Sequence, residues 1–161
     1  MIGTKFYKDN YDLEEYAQAA EWCNEAQQGT IEDKGEYYEV VEIPAPSLEE
    51  VKTAKISELK GIRDAKEVEP VQTDKGLFDY DDKSRDRLAI ARQALTDAGG
   101  GEIVWTTADN QRVSMTIADF AAINGAAAVR SNALHVKYNE LKESVKEAKT
   151  AEEVNAIQWT D

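Results

Sequence analysis

The sequence is short of the residues from which most catalytic and metal sites are built. It has one cysteine, Cys23, and one histidine, His135, in 161 residues. A lone cysteine allows no internal disulfide, and the two residues together cannot supply the four ligands that a structural zinc site usually takes. The one catalytic arrangement that Cys23 and His135 could form is a cysteine–histidine nucleophile pair. Cys23, however, falls on the apolar face of a predicted helix, where a small buried thiol is the ordinary interpretation.

Long apolar runs and an excess of basic residues are also missing. No apolar run is long enough to span a bilayer, and no signal peptide is predicted from the first residues. The 19 basic residues are outnumbered by 32 acidic ones, for a net charge of −13. Such a chain repels phosphate backbones and anionic lipid headgroups, so we expect no direct binding to nucleic acid or membrane. The excess negative charge indicates either solubility or a basic protein partner.

The known ligand-binding motifs are absent as well. Gly99-Gly100-Gly101 precedes a predicted strand instead of a helix and lacks the lysine and hydroxyl residue of a phosphate loop. Asp79, Asp81 and Asp82 begin like a calcium loop, but Lys83 stands where the next oxygen ligand belongs, which favours a helix cap. The many carboxylates leave a small hydrolase open, yet no pair among them stands out. The sequence therefore predicts no enzyme and no catalytic, cofactor-binding or metal-binding residue.

Pro44-Ala45-Pro46 divides the chain into two predicted units, residues 1–46 and residues 47–161, because two prolines favour an extended spacer. The first unit is the more acidic, with 11 acidic and three basic residues (net −8). Its pattern predicts a strand, a helix, and a hairpin of two strands. The helix is expected to begin after Asp12 and to end at Gly29.

The second unit is predicted to contain helices and two β-hairpins, which makes the whole chain an α+β protein. A helix after Ser47 has an apolar stripe, and its opposite, solvent-facing side is expected to hold Lys52, Lys55, Glu58, Arg63 and Asp64. The first hairpin turns at Asp74-Lys75-Gly76. A second helix and the glycine run lead to the second hairpin, the ribbon 102–115, whose polar turn is 108–111.

Thr116 and Asp119 form a near capping box for a long helix that runs to about Lys149. Ten positions of this helix, from 117 to 148, follow a strict three-four spacing, with Asn124 and Ser131 as polar members. One interpretation is a helix packed on its own domain. The alternative is a homo-oligomer formed through the C-terminal half of the helix, with Asn124 setting the register.

Several segments of the second unit resemble an uncharacterised domain family of bacteriophages and prophages, catalogued as a domain of unknown function and often found with tail-fibre or tail-fibre-assembly proteins. The most characteristic segment is Val104-Trp105-Thr106-Thr107-Ala108-Asp109-Asn110, followed by Thr116-Ile117-Ala118-Asp119. The matching segments also include Phe78-Asp79-Tyr80-Asp81 and the ending Ala148-Lys149-Thr150-Ala151-Glu152-Glu153-Val154, with Trp159. Residues 1–46 look like the leader that often precedes this domain.

The resemblance implies a non-enzymatic phage tail-associated protein, either an assembly factor for tail fibres or an accessory structural subunit. Its partner would be a tail or tail-fibre protein, met in the host cytoplasm during assembly or in the virion tail. We expect contact through the ribbon tip, at Asp109, Asn110 and Arg112, or through the acidic first unit. The alternative is a glycan- or cell-surface-binding module that uses exposed aromatic residues of the first unit: Trp22, Tyr37 and Tyr38.

Overall fold

The computed structural model describes residues 1–27 and 29–160; Gln28 and Asp161, the last residue of the predicted second unit, lie outside this range. The chain divides between Ser47 and Leu48 into two units, Met1–Ser47 (unit 1) and Leu48–Asp161 (unit 2). Both combine helices with short antiparallel strands, which confirms the α+β class.

Unit 1 is a three-stranded antiparallel sheet with a helix on one face. Its elements in chain order are β1 (Lys5–Tyr7), α1 (Leu13–Ala26), β2 (Gly29–Asp33) and β3 (Tyr37–Glu42). The central strand is β3, which pairs with β1 on one side and β2 on the other. The small core of this unit consists of Phe6, Ala19 and Val40, which are all at least 96% buried. Helix α1 supplies Ala19 and therefore covers the sheet face that carries Phe6 and Val40.

The end of α1 differs from the prediction that Gly29 terminates it. The helix ends at Ala26, and Gln27 adopts the left-handed conformation (φ 49°) while its backbone N–H donates to the Cys23 carbonyl. Gly29 is instead the first residue of β2, opposite Glu42. A non-glycine residue thus carries the helix cap, because a single left-handed residue is costly but tolerated when its N–H is bonded.

Gly29 is required for packing. A Cβ atom at this position would lie 2.7 Å from Cζ3 of Trp22, 3.0 Å from Cδ1 of Ile2 and 3.2 Å from the carbonyl oxygen of Val41. The indole of Trp22 therefore lies directly over the backbone of Gly29. This contact exists only once α1 has folded onto the sheet, so the sequence around Gly29 does not reveal it.

Unit 2 contains four helices and two separate β-hairpins within its described residues. They are α2 (Leu48–Glu67), β4 (Val71–Thr73), β5 (Gly76–Phe78), α3 (Asp82–Asp97), β6 (Ile103–Thr106), β7 (Arg112–Met115), α4 (Ile117–Glu147) and α5 (Ala151–Ala156). The pairs β4–β5 and β6–β7 confirm the two predicted hairpins. Thr116 and Asp119 form the predicted capping box of α4, since each side chain accepts a hydrogen bond from the other residue's backbone N–H.

The long helix α4 packs into two separate hydrophobic clusters. Its first half joins the cluster of Val71, Phe78, Leu88, Ala91, Leu95, Met115, Phe120, Ile123 and Ala127. Its second half joins the cluster of Leu59, Tyr138, Val145, Ala148 and Val154. The first cluster gathers α3 and both hairpins, and the second gathers α2 and α5. Helix α4 therefore connects all parts of unit 2.

Polar side chains lie on α4 between these two clusters. Arg130 donates to three backbone carbonyls at the end of α2, those of Glu67 (2.7 Å), Glu69 (2.7 Å) and Pro70 (3.1 Å). The last carbonyls of a helix have no partner within the helix, and a cation is favourable near them. One guanidinium thus caps α2 and fixes the turn into β4.

The predicted solvent-facing side of α2 is partly wrong, because Lys55 there is buried and Lys52 and Arg63 contact α4. Lys55 is only 7% exposed and bonds to Glu58, one turn away. Lys52 donates to the Lys146 carbonyl in the last turn of α4 (2.8 Å). The Arg63 guanidinium lies 4.8 Å from the Tyr138 ring centre. Long basic side chains can bury their aliphatic part in a helix interface while the charged group forms a polar contact. A simple apolar–polar pattern does not predict this arrangement.

The ten positions from 117 to 148 that follow the three-four spacing pack within the same domain. All ten are buried or half-buried, and Tyr138, Val145 and Ala148 contact the cluster built around Leu59. The polar members also have partners in the domain: Asn124 accepts from the Tyr80 hydroxyl (3.4 Å) and Ser131 donates to Glu67 (3.0 Å). The surface proposed for an oligomer is therefore occupied within the chain.

We predict opposite effects of alanine at two glycines. Gly29→Ala should destabilise unit 1 by about 1–3 kcal/mol, because the new methyl group overlaps the Trp22 ring and the adjoining backbone. Gly61→Ala, in an exposed part of α2 with open space around it, should stabilise unit 2 by up to about 1 kcal/mol. Hydrogen exchange followed by mass spectrometry measures each unit separately. Unchanged protection of β2 and β3 in Gly29→Ala would contradict the packing role.

Candidate functional site: interaction surfaces

The sheet of unit 1 has a second face, opposite α1, that carries two neighbouring tyrosines. Tyr7 of β1 and Tyr37 of β3 are directly opposite in the strand register, and their ring centres are 5.4 Å apart. Tyr7 is 52% exposed. Lys5 and Glu39, the next pair on this face, lie 3.9 Å apart, and the Lys5 ammonium is 4.6 Å from the Tyr37 ring centre. The face thus presents aromatic surface with a charged pair beside it.

The other two predicted aromatic residues are placed differently. Tyr38 points to the α1 side of the sheet, where its ring contacts those of Tyr11 and Tyr16. Trp22 is half-buried and packs against the core. Trp22, Tyr37 and Tyr38 are all half-buried rather than fully exposed. Because successive residues of a strand face opposite sides, Tyr37 falls on the second face and Tyr38 does not. Tyr7, which is not among the residues predicted from the sequence, is the more exposed ring beside Tyr37.

An ion pair ties the turn of unit 1 to β1. The Lys8 ammonium donates to both carboxylate oxygens of Asp33 (2.8 and 2.7 Å), and the Gly35 backbone N–H donates to the same carboxylate (2.8 Å). The bond from Lys8, aided by that from Gly35, lowers the pKa of Asp33, and the same bond raises the pKa of Lys8. The charges near this edge are thus internally paired.

The tip of the β6–β7 ribbon is a tight turn organised by one buried threonine. Thr107 is 3% exposed, and its hydroxyl donates to Asp109 (2.5 Å) and accepts from the Gln111 backbone N–H (2.9 Å). Asn110 adopts a left-handed conformation (φ 62°). The Ala108 backbone N–H donates to the Leu77 carbonyl of β5 (2.8 Å), so the turn is fixed to the first hairpin.

The three predicted tip residues are brought together at the surface. Asp109, Asn110 and Arg112 are all exposed. Asp109 also has a structural role, since its carboxylate accepts a hydrogen bond from the Thr107 hydroxyl. The tip is therefore a preorganised polar surface with one carboxylate, one amide and one guanidinium, and it can form hydrogen bonds to a partner without first losing loop entropy.

A polar cleft lies next to the junction of α2 and α4. The carboxylate of Glu67 accepts a hydrogen bond from Ser131 (3.0 Å), and Nε2 of His135, the single histidine, lies 2.9 Å from the same carboxylate. Tyr80 and Asn124 line the same cleft of about 240 Å³. The serine and histidine side chains both approach the carboxylate, and no hydrogen bond joins them to each other in the described structure. This arrangement holds two helices together and lacks the serine–histidine contact that activates a nucleophile.

The remaining chemical candidates have structural surroundings. The Asp81 carboxylate accepts from the Ser84 backbone N–H (2.8 Å), which caps α3 as expected and lowers the pKa of Asp81. Within residues 1–27 and 29–160, no three acidic, histidine or cysteine side chains are grouped so that they would hold a metal ion. Cys23 lies in unit 1 and lines a shallow cleft there. No helix in the described ranges combines the length and apolarity needed to cross a bilayer.

Comparison with known families covers most of unit 2. The family described as "Domain of unknown function (DUF4376)" matches residues 50–158. This chain belongs to that family. Searches of the curated proteins and of the solved structures gave no match. The match begins in the first turn of α2 and ends one residue before Trp159, so the DUF4376 domain includes both hydrophobic clusters, the ribbon tip and the polar junction.

The two tyrosines of unit 1 lie outside the DUF4376 match, whereas the tip residues lie within it. The junction residues of the DUF4376 domain, Arg130, Ser131 and His135, were not selected from the sequence as a group. A signal for them exists, because together with Asn132 they are the polar residues in the otherwise apolar stretch 126–136 of α4. Their spacing alone does not show that they meet the end of α2, which is more than 60 residues earlier.

The capping box of the DUF4376 domain predicts a pH dependence. The backbone N–H and then the hydroxyl of Thr116 lower the pKa of Asp119 below its usual 3.8, and Lys75 adds to this. A lowered pKa means that the carboxylate stabilises the fold above pH 4 and that this stability is lost as the pH falls through the folded-state pKa.

Asp119→Asn should therefore cost about 1 kcal/mol of unfolding free energy at pH 7 and less at pH 3, where part of the carboxylate's stabilisation is already lost. Urea denaturation at both pH values measures this difference. Asp74→Asn, in the exposed turn between β4 and β5, is the matched control and should change little. An equal cost at both pH values would contradict a role for the ionised carboxylate.

Proposed function

We propose that this chain is a non-enzymatic phage tail-associated protein that acts by protein–protein contact, as an assembly factor for tail fibres or as an accessory subunit. The phage context is supported by the resemblance of the ribbon segment 104–110 and the segments around it to a family found with tail-fibre proteins. The proposed partner is a tail or tail-fibre protein, met in the bacterial host cytoplasm during assembly or in the virion tail.

The observation that carries the contact role is the fixed and exposed ribbon tip. A loop held by the buried Thr107 and by the bond from Ala108 to Leu77 keeps its shape when free, so binding does not have to order it. Arg112 at the tip is exposed and has no carboxylate partner among the described residues. Exposed arginines on a preformed surface are common anchors of protein interfaces.

The test is co-expression with a tail-fibre protein from the same genome, followed by gel filtration with light scattering. We expect a stable complex of defined stoichiometry. Arg112→Glu should weaken it at least tenfold, because the substitution reverses the charge of the tip. Arg92→Glu, on the exposed side of α3, is the matched control. A well-folded chain that elutes alone in every case would refute the proposed partner.

A second candidate function is binding of a host-surface glycan by unit 1. The observation that favours it is the pair of adjacent rings, Tyr7 and Tyr37, on the sheet face opposite α1. Exposed aromatic rings offer a flat apolar surface with a polar hydroxyl, which suits the face of a sugar ring. Lys5 and Glu39 beside them provide a donor and an acceptor for sugar hydroxyls.

Co-sedimentation with an insoluble host cell-wall fraction tests this second function. The intact chain should be retained, and Tyr7→Ala or Tyr37→Ala should each reduce retention about tenfold by removing a stacking ring. Leu13→Ala removes a comparably exposed apolar side chain from α1 and should have no effect. Equal retention of all four proteins would exclude a binding site on this face.

A further inference from the structure

A second cleft on α4 differs in chemistry from the rest of this acidic protein. Its volume is about 300 Å³, and its lining residues are Lys66, Glu69, Arg130, Ala133, Leu134, Lys137 and Trp159. Three cations and one carboxylate thus surround an indole and two aliphatic side chains, whereas the whole chain has a net charge of −13. The cleft is a local positive site in a negative protein.

Two of these cations keep their charge available to a ligand. Arg130 donates to backbone carbonyls, which bear no net charge. Lys137 donates to the Thr160 carbonyl, and its ammonium lies 5.3 Å from the Trp159 ring centre. In the part of the chain that the structure describes, neither residue forms an ion pair with a carboxylate. Their positive potential therefore extends into the cleft.

An exposed apolar strip adjoins the cleft on the same helix. Val129, Ala133 and Val136 follow at the spacing of one helix face, and Ala133 also lines the cleft. Val129 is 74% and Val136 is 50% exposed. Toward the N-terminus the outer face continues with the exposed residues Ala122 and Gly125. This part of α4 is apolar on its outer side as well as toward the core, which is typical of a helix that is covered on both sides.

We propose that the cleft and this strip form a docking site for a short acidic, amphipathic segment of a partner protein. Its apolar side chains would cover Val129, Ala133 and Val136, and a carboxylate would enter the cleft between Arg130 and Lys137, beside the Trp159 ring. Charge complementarity selects this occupant over a basic one. The inference rests on the proposed function, since it names the chemistry that the partner presents.

The size of the occupant follows from electrostatic screening. Charges more than about 10 Å apart on the surface are largely screened at ordinary ionic strength. A short segment therefore responds mainly to the cations of the cleft, whereas an extended polyanion such as a nucleic acid also meets the negative charge of the whole chain. A segment of a few turns matches the strip from 122 to 136, which is about 21 Å long.

Fluorescence polarisation tests the proposal with a labelled helical peptide of glutamate and leucine and with its counterpart in which lysine replaces glutamate. The full chain should bind the acidic peptide at least tenfold more tightly than the basic one, and binding should weaken severalfold between about 50 and 500 mM salt. Lys137→Glu should weaken it at least tenfold, and Val129→Glu should act similarly through the strip.

Two substitutions on α3 are the matched controls, Lys83→Glu for the charge and Ile90→Glu for the exposed apolar side chain. Both should leave binding within twofold of the original chain. Circular dichroism establishes that each variant is folded before it is titrated. Equal binding of the two peptides, no binding of the acidic peptide, or full binding by Lys137→Glu would each overturn the proposal.

The tail-fibre complex separates this inference from the proposed function. A complex that forms and is lost with Lys137→Glu supports both. A complex that survives Lys137→Glu and Val129→Glu leaves the assembly role standing and rejects the docking site. Peptide binding without a complex retains the docking site and rejects the tail-fibre partner. A homodimer that Lys137→Glu dissociates would show that a second copy supplies the acidic segment, against a separate partner.

Discussion

The structure of the DUF4376 domain depends on the hydrogen bonds from Arg130 to the end of α2. Helix α4 contributes to two separate hydrophobic clusters, and between them the side chains that face α2 include the polar Arg130, Ser131 and His135. The Arg130 guanidinium donates to three backbone carbonyls, that of the last α2 residue, Glu67, and those of Glu69 and Pro70 just after it. The bond to the Glu67 carbonyl is partly buried, and together the three bonds hold the end of α2 and the turn that follows it against α4.

The same junction determines which surfaces remain free for function. Because Arg130, Ser131 and His135 face the end of α2, the inner side of α4 is occupied along its whole length. The outer side keeps its apolar residues uncovered, and the cleft beside it keeps a positive charge. Fixing the end of α2 also fixes where β4 begins, and the β4–β5 hairpin in turn holds the ribbon tip through the bond from Ala108 to Leu77. The two proposed contact surfaces of unit 2 are thus linked to one structural constraint.

Much of the fold was predictable because its signals are local. The caps at Asp12, Asp81, Thr116 and Thr150 place a side-chain oxygen next to backbone N–H groups only a few residues away, so the sequence contains both partners. The hairpins likewise depend on short turns between short strands. The ribbon tip was found for the same reason, since its exposed residues are those of a predicted turn. The regularly spaced positions of α4 could be recognised in the sequence, but the elements against which they pack could not.

The sequence by itself determined the secondary structure, the α+β class and the shortage of catalytic residue types, since each follows from composition or from neighbours along the chain. Tertiary structure alone decided which side chains are exposed and which are packed against other elements. It buried Lys55, placed the Trp22 ring over Gly29, and put Tyr38 on the α1 side of the sheet while Tyr7 and Tyr37 share the opposite face. These outcomes depend on contacts between residues far apart in the chain, whose energies exist only after the helices and sheets have packed.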